Sequence, residues 1–137
     1  MGKILLDTNI ILDYLSAGRP KHGDAAMLLE SAFEDPDIEA VLPSSSIKDA
    51  YYILCRHYHD EEMVRGRLSE FCELFEIAEL TVPIIRSAFV SDEPDFEDGI
   101  VRAMAEALGV EAIITRDVGA FEGCSIPSMD ARAFLWR

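Results

Sequence analysis

The sequence predicts a three-layer α/β/α domain with a central parallel sheet of about five strands. Three observations predict it. Short β-rich apolar runs alternate with stretches of helical period along the 137 residues. The first run, Ile4-Leu5-Leu6, is apolar throughout, as a strand covered on both faces is. No internal repeat or linker interrupts the alternation, so residues 1–137 read as one domain with room to bury a core.

Lys3–Leu6 reads as a buried strand, and Ile10–Leu15 as a short helix stopped near Gly18-Arg19-Pro20. Ala25, Leu28, Leu29, Ala32 and Phe33 share one apolar helix face. Ile38–Leu42 is a second strand, bounded by Asp35-Pro36 and Pro43. Ser44-Ser45-Ser46 offers hydroxyls to cap a helix from about Ile47 to Tyr58. Val64, Leu68, Phe71, Cys72 and Phe75 mark the next helix; Ile77–Val82 is a short strand, and Pro83 opens another helix. Asp95–Leu108 is helical and ends at Gly109. Val110–Thr115 and Ser125–Ile126 supply two more strands, and Met129–Trp136 closes the chain as a helix capped by Ser128.

Half the residues are apolar, which excludes a disordered chain. No apolar run is long enough to span a bilayer. The N-terminal apolar stretch is too short for a signal peptide and no small-residue cleavage site follows it, so a cytoplasmic protein without a membrane partner is expected. Cys55, Cys72 and Cys124 are scattered without a C-x-x-C pair, as reduced thiols are. The formal net charge of −14 favours cationic partners, either metal ions or a basic protein segment. It opposes nucleic acid, whose phosphates need Lys and Arg.

The acids are not spread at random. In open parallel sheets ligands gather beyond the carboxyl ends of the strands. Asp7 ends the first strand, flanked by Thr8 and Asn9, with no helix in the pattern to explain it. Asp117 lies just past the strand Val110–Thr115, and Asp98 in the first turn of the helix leading into that strand. Asp49 lies in the first turn of the helix after the second strand. Carboxylates brought together repel one another unless a cation neutralises them. All-oxygen ligands suit Mg²⁺ or Mn²⁺, which also reverses the local sign where a phosphate must bind.

These residues resemble the PIN domain. Asp7-Thr8-Asn9 with Leu12-Asp13, then Ser46-x-x-Asp49, Asp95-Phe96-Glu97-Asp98, and Thr115-Arg116-Asp117 with Phe121 follow that family's order over essentially the whole chain. The likeness extends to small single-domain members, including VapC-type toxins of toxin–antitoxin pairs. It implies a doubly wound α/β/α fold and a metal-dependent endoribonuclease. Asp7, Asp98 and Asp117 match the family's metal-site acids, and Asp49 falls where the family usually has a glutamate. Thr115 matches a hydroxyl that helps order the metal site, Asn9 the polar residue beside the first acid, and Asp95 an accessory acid. Asp49 is one methylene shorter than Glu and would reach a metal through water. Gly99 stands where an alanine is common, which weakens the start of its helix. The resemblance also implies a homodimer and a basic antitoxin as partners, with RNA as substrate.

Lys48 and Arg116 adjoin site acids and are candidates to touch phosphate or to pair with those acids. Arg19, Lys21, Arg56 and Arg102 are the other basic residues placed near the crevice. Cys55 and His59 are i, i+4, but supply too few ligands for a metal; a solvated helix end is the reading there. Two functions compete with the nuclease. A phosphatase would want an Asp-x-Asp pair and a lysine past a later strand, where this chain has Asn9 and Arg116. A non-catalytic interaction module would fit the strong acidity.

Overall fold

The computed structural model describes residues 2–137. Five parallel strands, β1 (Gly2–Leu6), β2 (Ile38–Pro43), β3 (Glu76–Ala78), β4 (Ala112–Ile114) and β5 (Ser128–Met129), form one sheet in the order β3-β2-β1-β4-β5. The helices are α1 (Thr8–Leu15), α2 (His22–Glu34), α3 (Ser44–Tyr58), α4 (Glu61–Leu74), α5 (Val82–Phe89), α6 (Phe96–Leu108) and α7 (Ala131–Leu135).

The two-residue period of the strands divides the core into two layers. Ile4 and Leu6 of β1 pack with Ala40, Leu42 and Ile114 against α1, α2, α3, α4 and α7. Leu5, between them, points to the opposite face with Val41 and Ile113, against Ile84 of α5 and Met104 of α6. This is why Ile4-Leu5-Leu6 carries no polar residue: both faces of β1 are covered.

The order places the topological switch between β1 and β4, because the chain runs outward through β2 and β3 on one side and through β5 on the other. Ligand crevices open at the carboxyl ends of the strands flanking such a point. Asp7 follows β1 there, and Thr115 follows β4; Asp7 N donates to Ile114 O at 2.9 Å, closing the two strand ends together.

Several element ends differ from the sequence reading. α3 begins at Ser44, three residues early, with Pro43 at its cap position, so Asp49 lies in its second turn. The serines are spent on tertiary bonds: Ser44 Oγ accepts from Leu80 N and Ser46 Oγ from the Thr8 hydroxyl. α1 begins at Thr8, and Asp7 is its N-cap. A helix therefore does explain part of what Asp7 does. β3 stops at Ala78 because Thr81 caps α5 through Ile84 N. Ser125–Ile126 is not a strand; Ser128–Met129 pairs with Ile113 and Ile114 instead, and Asp130 rather than Ser128 caps α7. Phe33, placed on the apolar face of α2, is exposed. Gly109 ends α6 in the left-handed conformation, φ 64°, as its position predicts. The three cysteines are free thiols, each half-buried. No described helix is long and apolar enough to cross a membrane.

Candidate active site

Asp7, Asn9, Asp49 and Asp98 line one crevice of about 740 Å³ above the carboxyl ends of the strands. They arrive on three supports. Asp7 and Asn9 come from the β1–α1 junction, Asp49 from the second turn of α3, and Asp98 from the first turn of α6. Asp95 caps α6, accepting from Glu97 N at 2.8 Å and Asp98 N at 3.2 Å, and so aims that first turn.

Thr115 is the hub of the site and is wholly buried. Its hydroxyl donates to Asp7 Oδ2 at 2.9 Å, and its oxygen accepts from Asn9 Nδ2 at 3.3 Å and from Asp117 N at 3.0 Å. Asn9 Oδ1 in turn accepts from Arg116 N at 3.1 Å. Asp7 Oδ1 accepts from Thr8 N at 2.8 Å. One hydroxyl therefore ties the acid after β1 to the loop after β4.

The electrostatics follow from burial and crowding. Burial pushes the Asp7 carboxyl up, hydrogen bonds from Thr115 and Thr8 pull it down, Asp117 raises it and Arg116 lowers it. Asp98 is pushed up to about 6, first by burial and then by Asp95, Asp7, Asp117 and Glu93. Asp7, Asp98 and Asp117 thus feel one another, although Asp117, at the start of a 3₁₀ turn over Val118–Phe121, does not line the crevice.

A hard cation fits this donor set: mutually repelling carboxylates, all oxygen, held by neutral hydrogen bonds. The side chains are not closed into a cage. Among the described residues no three His, Cys, Asp or Glu side chains stand close enough to hold a metal by themselves. Mg²⁺ does not require that, since it keeps several waters and is commonly held by one or two carboxylates.

The basic residues are distributed unevenly. Lys48 Nζ lies 3.4 Å from Asp49 Oδ1 and remains 82% exposed. Arg116 pairs with Asp13, and Arg102 with Glu93 and Glu106; Arg56 lies over Tyr52. The sequence reading missed Asp13 as an acid in its own right. An aspartate inside the apolar run Ile10–Leu15 was the available signal. It missed Glu97, Tyr52 and Phe96 as crevice residues too, because α3 and α6 lie on opposite faces of the sheet and only their N-terminal parts line the same crevice.

A family model described as PIN domain matches residues 3–119. The chain belongs to the PIN domain family. The PIN fold is matched by solved structures over nearly the whole chain. FitAcB from Neisseria gonorrhoeae is 24% identical, with a TM-score of 0.71, covering 94% of this chain and 98% of that one. A toxin–antitoxin complex from Klebsiella pneumoniae is 24% identical, with a TM-score of 0.68 and coverage of 93% and 97%. VapC20 of Mycobacterium tuberculosis, described as a sarcin-ricin loop cleaving toxin, is 17% identical, with a TM-score of 0.67 and coverage of 80% and 86%. At these identities the likeness is one of fold. No curated protein matches the sequence.

Proposed function

We propose that this PIN domain protein is a divalent-cation-dependent endoribonuclease, acting as the toxin of a toxin–antitoxin pair. The observation that carries the reading is the Thr115-centred network, which holds a buried, repelled Asp7 against the acids of α6 and the β4 loop. A merely structural aspartate has no need of three charged neighbours at a topological switch point. Membership of the PIN family and the cleaving and antitoxin-bound relatives support the same conclusion.

Asp7 and Asp98 would hold Mg²⁺ or Mn²⁺ together with its waters, and Asp117 and Asp49 would reach it through those waters. When bound, that cation would lower the pKa of a water and offset charge on the phosphoryl oxygens. The chain supplies the geometry. Thr115 holds Asp7 Oδ2 while Thr8 N holds Oδ1, and Asn9 holds the Thr115 oxygen and the Arg116 backbone in register. Asp98, pushed up to about 6 by burial and its acidic neighbours when no cation is present, is ionised at neutral pH and would be relieved of that repulsion by the cation. Lys48, exposed beside Asp49, is free to meet a phosphate oxygen. An open acidic crevice suits single-stranded or looped RNA better than a regular duplex.

The acidity also supports a basic antitoxin segment as partner, steered by charge. Phe89, Val90 and Phe96 are exposed, with Phe89 stacked on Phe96 at 4.8 Å, and supply an apolar surface for a homodimer. The open arrangement of the acids favours one other reading, a PIN domain kept as an interaction module. Incubating the protein with a broad panel of structured and single-stranded RNAs, with Mg²⁺ or Mn²⁺ and with EDTA, separates the two. Metal-dependent cleavage supports the nuclease, and an intact panel favours the module. Cleavage that persists in EDTA contradicts the mechanism.

A further inference from the structure

Asp13 is only 2% exposed, yet both its oxygens face cations. Oδ1 accepts from Arg19 Nε at 2.8 Å, and Oδ2 lies 2.7 Å from Arg116 Nε, off the angle of a hydrogen bond. One buried carboxylate thus holds two guanidinium groups side by side, from the α1–α2 loop and the β4 loop. Each pairing uses Nε, so the outer nitrogens of both forks are left for another acceptor. The arginine side chains remain 32% and 39% exposed.

These groups line a pocket of about 340 Å³ with Lys21, Ser16 and His57. Its charged walls are three cations against one carboxylate, and that carboxylate is buried beneath them. In a chain with 26 acids and 12 Lys and Arg, this runs against the general field. The excess of positive charge is local: a neighbouring pocket shares Asp13, Lys21 and Arg116 and adds Asp24 and Asp130. Arg116 links the cationic pocket to the acid crevice: it lines the one, and its backbone N is bound to Asn9, which lines the other.

We propose that Arg19, Lys21 and Arg116 form a subsite for an RNA phosphate flanking the one at the acids. This deepens the nuclease reading and rests on it for the identity of the strand. Paired guanidinium forks match the oxygens of a phosphodiester. A strongly acidic protein needs such a foothold, because the rest of its surface repels a polyanion. Contact continuity through Arg116 favours a strand that already occupies the crevice over an acidic peptide.

The test uses the full chain with Arg19→Gln, Lys21→Gln and the double substitution. Binding of a labelled single-stranded RNA is measured in an Asp7→Asn background across a salt series. Hydrolysis of the same RNA and of bis(p-nitrophenyl) phosphate, which has a single phosphate, is measured with Asp7 intact. The double variant is expected to bind RNA at least about tenfold more weakly and to lose about 0.7 units of salt slope, the value for one single-strand phosphate contact. Its hydrolysis of the small diester should stay within about twofold of the parent's. Unchanged RNA affinity and slope would overturn the subsite, as would equal losses on both substrates, which mean a structural role at Asp13. Polyglutamate bound as tightly as RNA, with the same sensitivity to both substitutions, overturns the assignment to RNA. Lys21→Gln breaks no ion pair, so its RNA affinity and salt slope decide the subsite if Arg19→Gln misfolds. If the parent cleaves neither substrate the nuclease reading fails by itself, and the binding series still decides the subsite.

Discussion

The Thr115 hydroxyl donates to Asp7 Oδ2 at 2.9 Å across the gap between the ends of β1 and β4. It is the only described side-chain bond to that oxygen, and Thr115 also accepts from Asn9 and Asp117. Thr115→Val keeps the shape but removes all three bonds. It should lower metal-dependent cleavage by about 10- to 100-fold, as loss of a group that orients a metal ligand does. It should also cost about 1–3 kcal/mol in urea unfolding, because buried polar atoms are left unpaired. Full activity in Thr115→Val would mean that Asp7 needs no such restraint.

Asp98 makes stability depend on pH in a direction opposite to that of most surface acids. Its folded pKa of about 6 lies above the ordinary value of 3.8. The native state therefore holds the proton more tightly, and stability falls as pH rises from about 4 to about 6. After discounting for solvent, the metal-free protein should lose about 1 kcal/mol from this group over that window. Asp98→Asn should flatten the slope and stabilise the metal-free protein at pH 7. Thermal melts at pH 4 to 7 in EDTA check this; an unchanged slope in the variant would place the titration elsewhere.

Gly99 is a helix interior position with room. A Cβ there would meet Ala88 O at 3.4 Å and Ala88 Cβ at 3.7 Å, ordinary contacts between α6 and α5. Gly99→Ala should add about 0.5–1 kcal/mol of stability by raising helix propensity. A calorimetric melt that moved downward would show that α5 and α6 cannot spare even that space.

The alternation of strands and helices was legible because burial dictates it: an apolar Ile4-Leu5-Leu6 run has to be covered twice. The places of Asp7 and Asp98 in the fold were legible too, because strand ends and helix first turns are positions that sequence period reveals, whereas Asp49 lies one turn later than its pattern suggests. What was not legible depends on partners far along the chain. Ser44 and Ser46 read as caps, yet bond Leu80 and Thr8. Asp13 reads as one residue in a helix, and its meaning comes from Arg116, brought beside it only by the pairing of β1 with β4.

Asp49→Glu tests the position where the chain departs from the usual glutamate. Asp49 lines the crevice and leans toward Lys48 at 3.4 Å, so the short acid is placed to act through water. The longer side chain should keep or raise turnover in an RNA cleavage assay. A loss greater than about tenfold, some 1.4 kcal/mol, would show that the shorter reach is required.

The most direct measurement is the melting temperature with and without millimolar Mg²⁺ or Mn²⁺, for the parent chain, Asp7→Asn and Asp98→Asn. A cation that binds only the folded site must raise the parent's melting temperature by mass action, and at about 100 times its Kd the gain is about 2.7 kcal/mol. Both variants should stay folded in EDTA and lose most of that gain. A parent chain whose melting is indifferent to either metal, or variants that gain as much as the parent, would contradict a cation site at Asp7 and Asp98.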